Sequence, residues 1–185
     1  GIRKKKGAFH VSYVHAPMRY IWDRFEDYFA PGRTGPLTRF AAQALPPSLQ
    51  KWDIQSSRSV DAFVANSRFI ADQVERLYGK PCSVIHPFAA LERFKSLPRR
   101  PESFYLMVGA FAPYKRIDLA IEACHQLGLQ LKIVGSGQEE TRLRALAGPT
   151  IEFLGPRTNE EIADLFSSCR ALLFPGVEDF GITPI

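Results

Sequence analysis

From Phe104 to Ile185 strand-like and helix-like patterns alternate without interruption, and this restricts the fold more than any other feature of the chain. Short apolar runs at 104–109, 130–135, 150–154 and 170–174 read as buried strands. Between them apolar residues recur at helical spacing, as in Ile117, Ala120, Ile121, Cys124 and Leu127, and again in Ile162, Leu165 and Phe166. Strict alternation of this kind predicts a parallel sheet with right-handed crossovers. Thr158-Asn-Glu-Glu161 predicts a capping box at the start of the last helix, the threonine and the glutamate each satisfying the other's amide.

The N-terminal half follows the same grammar less regularly. Phe9–His15 reads as a strand ended by Ala16-Pro17, and Met18–Phe29 carries a helical face of Ile21, Trp22, Phe25 and Phe29 that closes at Pro31-Gly32. Leu37–Gln55 reads as one or two helices interrupted at Pro46-Pro47, because a straight helix does not accommodate interior prolines. Val60–Ala65 reads as a strand, Asn66-Ser67 as the N-cap of a helix over Arg68–Tyr78, and Gly79 as its terminator. Cys82–His86 is a further strand, stopped by Pro87. Leu97-Pro-Arg-Arg-Pro101 has the composition of an interdomain linker. The expected division is therefore 1–96, a linker at 97–103, and 104–185.

A hydrophobic content of 45% in 185 residues suffices for a sizeable core in one or two domains. The net charge of +5 is concentrated only at Arg3-Lys4-Lys5-Lys6 and Arg99-Arg100. These runs read either as solvated turns or as a weak attraction to anionic headgroups and diphosphate-lipids. Aromatic residues do not interleave with them, so nucleic-acid binding is not expected. Cys82, Cys124 and Cys169 are odd in number and far apart, which suits buried thiols in a reducing cytoplasm better than a disulfide or zinc site. No apolar stretch approaches the ~20 residues of a membrane span. A cytoplasmic protein, peripheral at the inner face of the cytoplasmic membrane, is the expectation.

Two loops carry chemistry. Lys115 and Arg116 stand at the C-terminal mouth of the first strand of the alternating region, just ahead of a helix N-terminus, where a phosphate is readily held. Glu178 and Asp179 stand at the mouth of the last strand, where carboxylates could hold sugar or ribose hydroxyls. Together they suggest an enzyme acting on a nucleotide sugar. Gly135-Ser136-Gly137 serves either as a simple turn or as a loop near the nucleotide; it is not GxGxxG and gives no reason to expect NAD.

Five strings in register carry a family resemblance. They are Tyr13-Val-His-Ala-Pro-Met-Arg-Tyr-Ile-Trp-Asp23, Val108-Gly-Ala-Phe-Ala-Pro-Tyr-Lys-Arg-Ile-Asp-Leu-Ala-Ile-Glu-Ala123, Leu131-Lys-Ile-Val-Gly-Ser-Gly137, Ile151-Glu-Phe-Leu-Gly155 and Ala171-Leu-Leu-Phe-Pro-Gly-Val-Glu-Asp-Phe-Gly181. In this order they resemble the family 4 glycosyltransferases, and the first is similar to the mannosyltransferases of O-antigen and related polysaccharide synthesis. The resemblance implies an α/β fold of two Rossmann-like domains of the glycosyltransferase-B type, each only partly present. Residues 1–96 would be the second half of the acceptor-side domain, and 104–185 the first part of the domain that binds the nucleotide sugar.

It further implies a retaining transfer of mannose from GDP-mannose to a polyprenyl-diphosphate-linked or polysaccharide acceptor. No cofactor, and no metal in the transfer step, is implied. Lys115 would neutralise the donor diphosphate, with Arg116 and Gly109 beside it, and Phe180 and Gly181 would bring backbone amides close to the donor. Glu178 would stand at the reaction centre, with His15 across an interdomain cleft. Arg19 would contact acceptor or donor phosphate, or else pair with Asp23.

The sequence departs from the family at Ala110, where an arginine is usual, and near Ala90, where an aspartate is usual. The family's second glutamate would fall at position 186, and its glycine-rich loop upstream of residue 1. The chain therefore reads as an internal stretch that would not catalyse transfer by itself. The alternative is a degenerate relative that only binds nucleotide.

Overall fold

The computed structural model describes residues 4–23, 25, 29, 35, 46–89, 91–92 and 97–185. The chain divides into two compact units, Gly1–Phe88 and Ala89–Ile185.

In the first unit, strands β1 (Val11–Val14), β2 (Ala62–Ala65) and β3 (Cys82–Val84) form a parallel sheet in the order β1-β2-β3. Helices α1 (Arg19–Trp22), α2 (Pro46–Ser57) and α3 (Arg68–Tyr78) supply the connections. The prolines at 46 and 47 stand in the first turn of α2, where a residue needs no amide hydrogen, so α2 begins at the break expected within Leu37–Gln55. The part of Leu37–Gln55 before them, and Pro31-Gly32, lie outside the described residues.

Helix α3 forms where its caps placed it. Ser67 Oγ accepts from the Ile70 amide at 3.2 Å, and Gly79 ends the helix in the left-handed region at φ 64°. Its buried face, Ile70, Ala71 and Val74, packs on Phe63, Ala65 and Cys82. Full burial of the Ile70 and Val74 side chains contributes about 1.5–3 kcal/mol each. Asp53 ties the three helices together by accepting from Trp22 Nε1 at 2.9 Å and from the Tyr78 hydroxyl at 2.8 Å. Burial and, after it, this carboxylate push the Tyr78 hydroxyl well above its ordinary range. Lys80 Nζ closes the end of α2, donating to the carbonyls of Ser57, Arg58 and Val60. On the opposite sheet face Phe9, Val11 and Ile85 are 73%, 53% and 60% exposed.

The second unit runs β4 (Tyr105–Val108), a 3₁₀ turn (Pro113–Lys115), α4 (Ile117–Gln126), β5 (Leu131–Val134), α5 (Glu140–Leu146), β6 (Ile151–Gly155), α6 (Asn159–Ser168) and β7 (Ala171–Leu172). All pairings are parallel, in the order β6-β5-β4-β7. One core holds Met107, Ile117, Ile121, Cys124, Leu131 and Ile133; the other face holds Phe104, Leu106, Val134 and Cys169, covered by Ile162, Leu165 and Phe166 of α6. The Thr158–Glu161 capping box is present in both directions, at 3.2 and 2.7 Å.

Residues expected to form the linker are held against α6. Arg99 donates to the carbonyls of Phe166 and Arg170, and the amides of Arg100 and Glu102 donate to Ser167 and Ser168. The two basic clusters are thus partly committed to structure, since Lys4 also pairs with Asp61; Arg3 lies outside the described residues. The three cysteines are free and buried, and burial raises the Cys82 and Cys124 thiols above their usual range. Among the described residues no helix is long and apolar enough to cross a membrane.

Candidate functional site

The strand order locates a site in the second unit. From β4 the chain steps outward through β5 to β6, then returns to lay β7 on the other side of β4. Connections therefore diverge at β4 and β7, and a crevice opens beyond the carboxyl ends of these two strands. The loop after β4 carries Lys115 and the loop after β7 carries Glu178, and the two side chains meet as an ion pair. Their side chains are only 17% and 16% exposed, so this is a sheltered pair and not one of the surface kind.

Each partner is fixed from below. Lys115 closes the 3₁₀ turn begun by Pro113, and its ammonium lies 5.5 Å from the Tyr114 ring centre and 5.8 Å from that of Phe174. Met107, Gly109, Ile117, Phe174 and Gly176 line a narrow cavity with it. Gly176 settles the height of the second loop. A Cβ there would stand 2.7 Å from Lys115 Cα and 2.7 Å from the Tyr114 carbonyl oxygen, both backbone atoms unable to yield.

Gly135 and Gly137 do the same on the other flank, where a Cβ would meet the Gly109 carbonyl oxygen at 2.0 Å and the backbone of Phe111 at 2.8 Å. The Gly135-Ser136-Gly137 turn therefore serves close packing against the 109–111 loop, reinforced by the Phe111 amide donating to Ser136 at 2.8 Å. Sequence reasoning did not single out Gly176, Tyr114 or Phe174 for these contacts. The adjacency of Tyr114 to Lys115 and the Pro-Gly at 175–176 were the only signals available.

Arg116 has φ 49° and ψ 44°, the only left-handed residue other than glycine among the described ones. Its guanidinium turns to Asp118, at 3.1 Å from Nε, and Asp118 also lies 4.0 Å from Arg142, which pairs with Glu139. Ala110, standing where an arginine was expected, is exposed. Gly109 has room around it: an added Cβ would stand 4.0 Å from Lys115 Cε. Gly181 adopts φ 79°, a conformation that favours glycine, one residue after the half-buried Phe180.

In the first unit, His15 follows β1, is exposed, and stacks edge-on with Tyr13 at 5.2 Å. Asn66 Nδ2 donates to the His15 carbonyl at 3.1 Å, and His86 Nδ1 donates to the Asn66 carbonyl at 2.9 Å, so the ends of all three strands are laced together. Arg19 opens α1; the acid considered as its partner, Asp23, pairs with Arg76 at 3.1 Å. Among the described residues no three His, Cys, Asp or Glu side chains cluster closely enough to hold a metal ion.

Residues 89–185 match the family model of the glycosyl transferases group 1. The O-antigen chain mannosyltransferase C of Escherichia coli is 35% identical over 89 residues, which are 44% of this chain and 24% of that one. An uncharacterized glycosyltransferase of Methanocaldococcus jannaschii is 30% identical over 88 residues, 45% and 25% respectively. The chain thus spans about a quarter of the length of these relatives. Among solved structures TarM superposes with a TM-score of 0.63 at 12% identity, over 92% of this chain and 32% of TarM. The pneumococcal O-GlcNAc transferase GtfA, solved with UDP and GlcNAc, gives 0.52 at 21% identity, over 74% and 30%. These likenesses carry the fold, the α/β glycosyltransferase-B type that the family resemblance implied. With more than half of its length matched by the family model, including the whole crevice at β4 and β7, the chain belongs to the group 1 glycosyl transferases.

Proposed function

We propose that the chain is the core of a retaining, family 4 glycosyltransferase that moves mannose from GDP-mannose to a polyprenyl-diphosphate-linked or polysaccharide acceptor. The meeting of Lys115 and Glu178 at the switch point of the second sheet carries this reading. The likeness to the O-antigen mannosyltransferase of Escherichia coli supports mannose as the sugar.

Transfer breaks the bond between the anomeric carbon and a diphosphate oxygen, and the diphosphate gains negative charge as the bond lengthens. A fixed ammonium at that oxygen lowers the barrier because its alignment is already made before reaction. Lys115 is the group for this task, its ammonium 5.5 and 5.8 Å from two ring centres and its turn braced by Gly176. Glu178 is assigned to the hydroxyls of the transferred sugar, Phe180 and Gly181 to the amide contacts, and His15 and Arg19 to the acceptor side. Gly109 leaves space for phosphate oxygens beside Lys115. The acceptor hydroxyl attacks from the face that the diphosphate leaves, and a departing phosphate oxygen takes its proton. No cofactor is required, and peripheral binding at the inner membrane face would bring a lipid-linked acceptor within reach.

One observation favours the second reading, a relative that binds nucleotide but does not transfer. Arg116, the nearest substitute for the arginine absent at Ala110, is engaged by Asp118. Lys115→Ala in the full-length protein separates the two. Transfer from GDP-mannose, followed by mass spectrometry of the acceptor, should fall ~100-fold or more with an unchanged fold. Near-wild-type turnover would remove the role of Lys115, and absence of turnover in the unsubstituted protein would favour the binding-only reading.

A further inference from the structure

We propose that Glu178 is a specificity-determining residue that guards the anion site. It acts as the built-in counter-ion of Lys115, so that a ligand enters only by exchange for the carboxylate. This rests on the reading of Lys115 as the donor-phosphate group.

The pair is a constructed contact. Gly176, two residues before Glu178, sits backbone-on-backbone against residues 114 and 115, so the loop bearing the carboxylate is set at a fixed height over the lysine. Tyr114 and Phe174 limit where the ammonium can go, and both charges are largely sheltered from water. An intramolecular carboxylate held in this way competes at an effective concentration in the millimolar range or above. A carboxylate offers Lys115 nothing that Glu178 does not already supply, and a lone phosphate, at about −1.5 to −2 in charge, brings a single group to the exchange, so carboxylates are turned away and monophosphates bind weakly. A diphosphate spreads its charge over several oxygens and can take the ammonium while also accepting from backbone amides at the start of α4. The displaced carboxylate is then free to turn toward the sugar that the diphosphate carries. The ligand class selected is a nucleoside diphosphate or its sugar ester, and binding is coupled to the release of Glu178.

Calorimetric titration of the whole chain with inorganic pyrophosphate and with inorganic phosphate tests this, using the unsubstituted chain, Glu178→Gln, Lys115→Ala and the double variant. Glu178→Gln should bind pyrophosphate about tenfold more tightly and should bind phosphate measurably, the selectivity between the two shrinking. The double variant should lose that gain. Equal pyrophosphate affinity in the unsubstituted chain and Glu178→Gln, with binding lost in Lys115→Ala, would overturn the guard while leaving Lys115 as the anion site. Undiminished binding in Lys115→Ala would overturn the donor-phosphate reading and the guard with it. If Glu178→Gln does not fold, Glu178→Asp, whose carboxylate is one methylene shorter, should shift affinity in the same direction, and no shift would refute the proposal.

Discussion

Arg116 is the residue at which the backbone and the side chain make opposing demands. Its left-handed conformation costs a non-glycine residue ~1–2 kcal/mol, because Cβ crowds the following carbonyl oxygen. Against that stands the ion pair with Asp118, which with the arginine side chain 47% exposed is worth about 0.5 kcal/mol after solvent screening. Replacing Arg116 by alanine keeps the strain and removes the ion pair, so stability should fall by ~0.5 kcal/mol. Replacing it by glycine removes both, and glycine's greater freedom in the unfolded chain returns about 0.5–1 kcal/mol of the relief. The two substitutions share the loss of the side chain, and their difference isolates the backbone. Glycine should exceed alanine by ~1 kcal/mol, or ~4–8 °C in melting temperature for a unit of about 100 residues. Differential scanning calorimetry of the three chains measures it. An alanine variant as stable as the glycine variant, or more stable as is usual inside a helix, would refute the reasoning.

Gly176→Ala should lift the second loop off the first, costing ~1–3 kcal/mol in a thermal melt and, by carrying Glu178 away from Lys115, tightening pyrophosphate binding; an unchanged melt would mean that the loop is not fixed by that contact. Thr158→Ala should cost ~1 kcal/mol by removing the acceptor of the Glu161 amide, while Thr158→Ser should restore most of it. The Cys82, Cys124 and Tyr78 groups are all raised by burial, so the folded chain holds their protons longer than the unfolded chain does. Stability should therefore be fully kept below the ordinary thiol range and be lost as pH rises beyond ~9, and Cys124→Ala should flatten part of that slope in melts taken from pH 7 to 11.

Local chemistry made much of the fold legible. Ser67, Gly79 and the Thr158–Glu161 pair act within a few residues of themselves, so a sequence states them directly, and they appear where they were expected. Lys115 and Glu178 could each be assigned to a strand mouth for the same reason. That the two mouths are adjacent was not legible from local pattern, because it depends on β7 choosing β4 as its neighbour over an edge of β6. The prolines at 46 and 47 marked a break within Leu37–Gln55, and α2 begins at that break. The positive φ of Arg116 was hidden, since only glycine or asparagine advertises such a position.

The pairing of β7 with β4 is also short. β5 matches β4 through four residue pairs, from Tyr105 with Leu131 to Val108 with Val134, whereas β7 contributes two, Tyr105 with Ala171 and Leu106 with Leu172. These two strands are also far apart along the chain, so their pairing bears the larger loop-closure entropy and belongs among the late events of folding. On that order Lys115 would be in place once β4, β5 and α4 condense, and Glu178 would arrive with β7. The same order in reverse makes β7 and the loop behind it the cheapest part of the sheet to release, so amides from Ala171 onward should exchange with solvent ahead of those in β5. In kinetic terms, the half of the crevice that carries the positive charge outlasts the half that answers it.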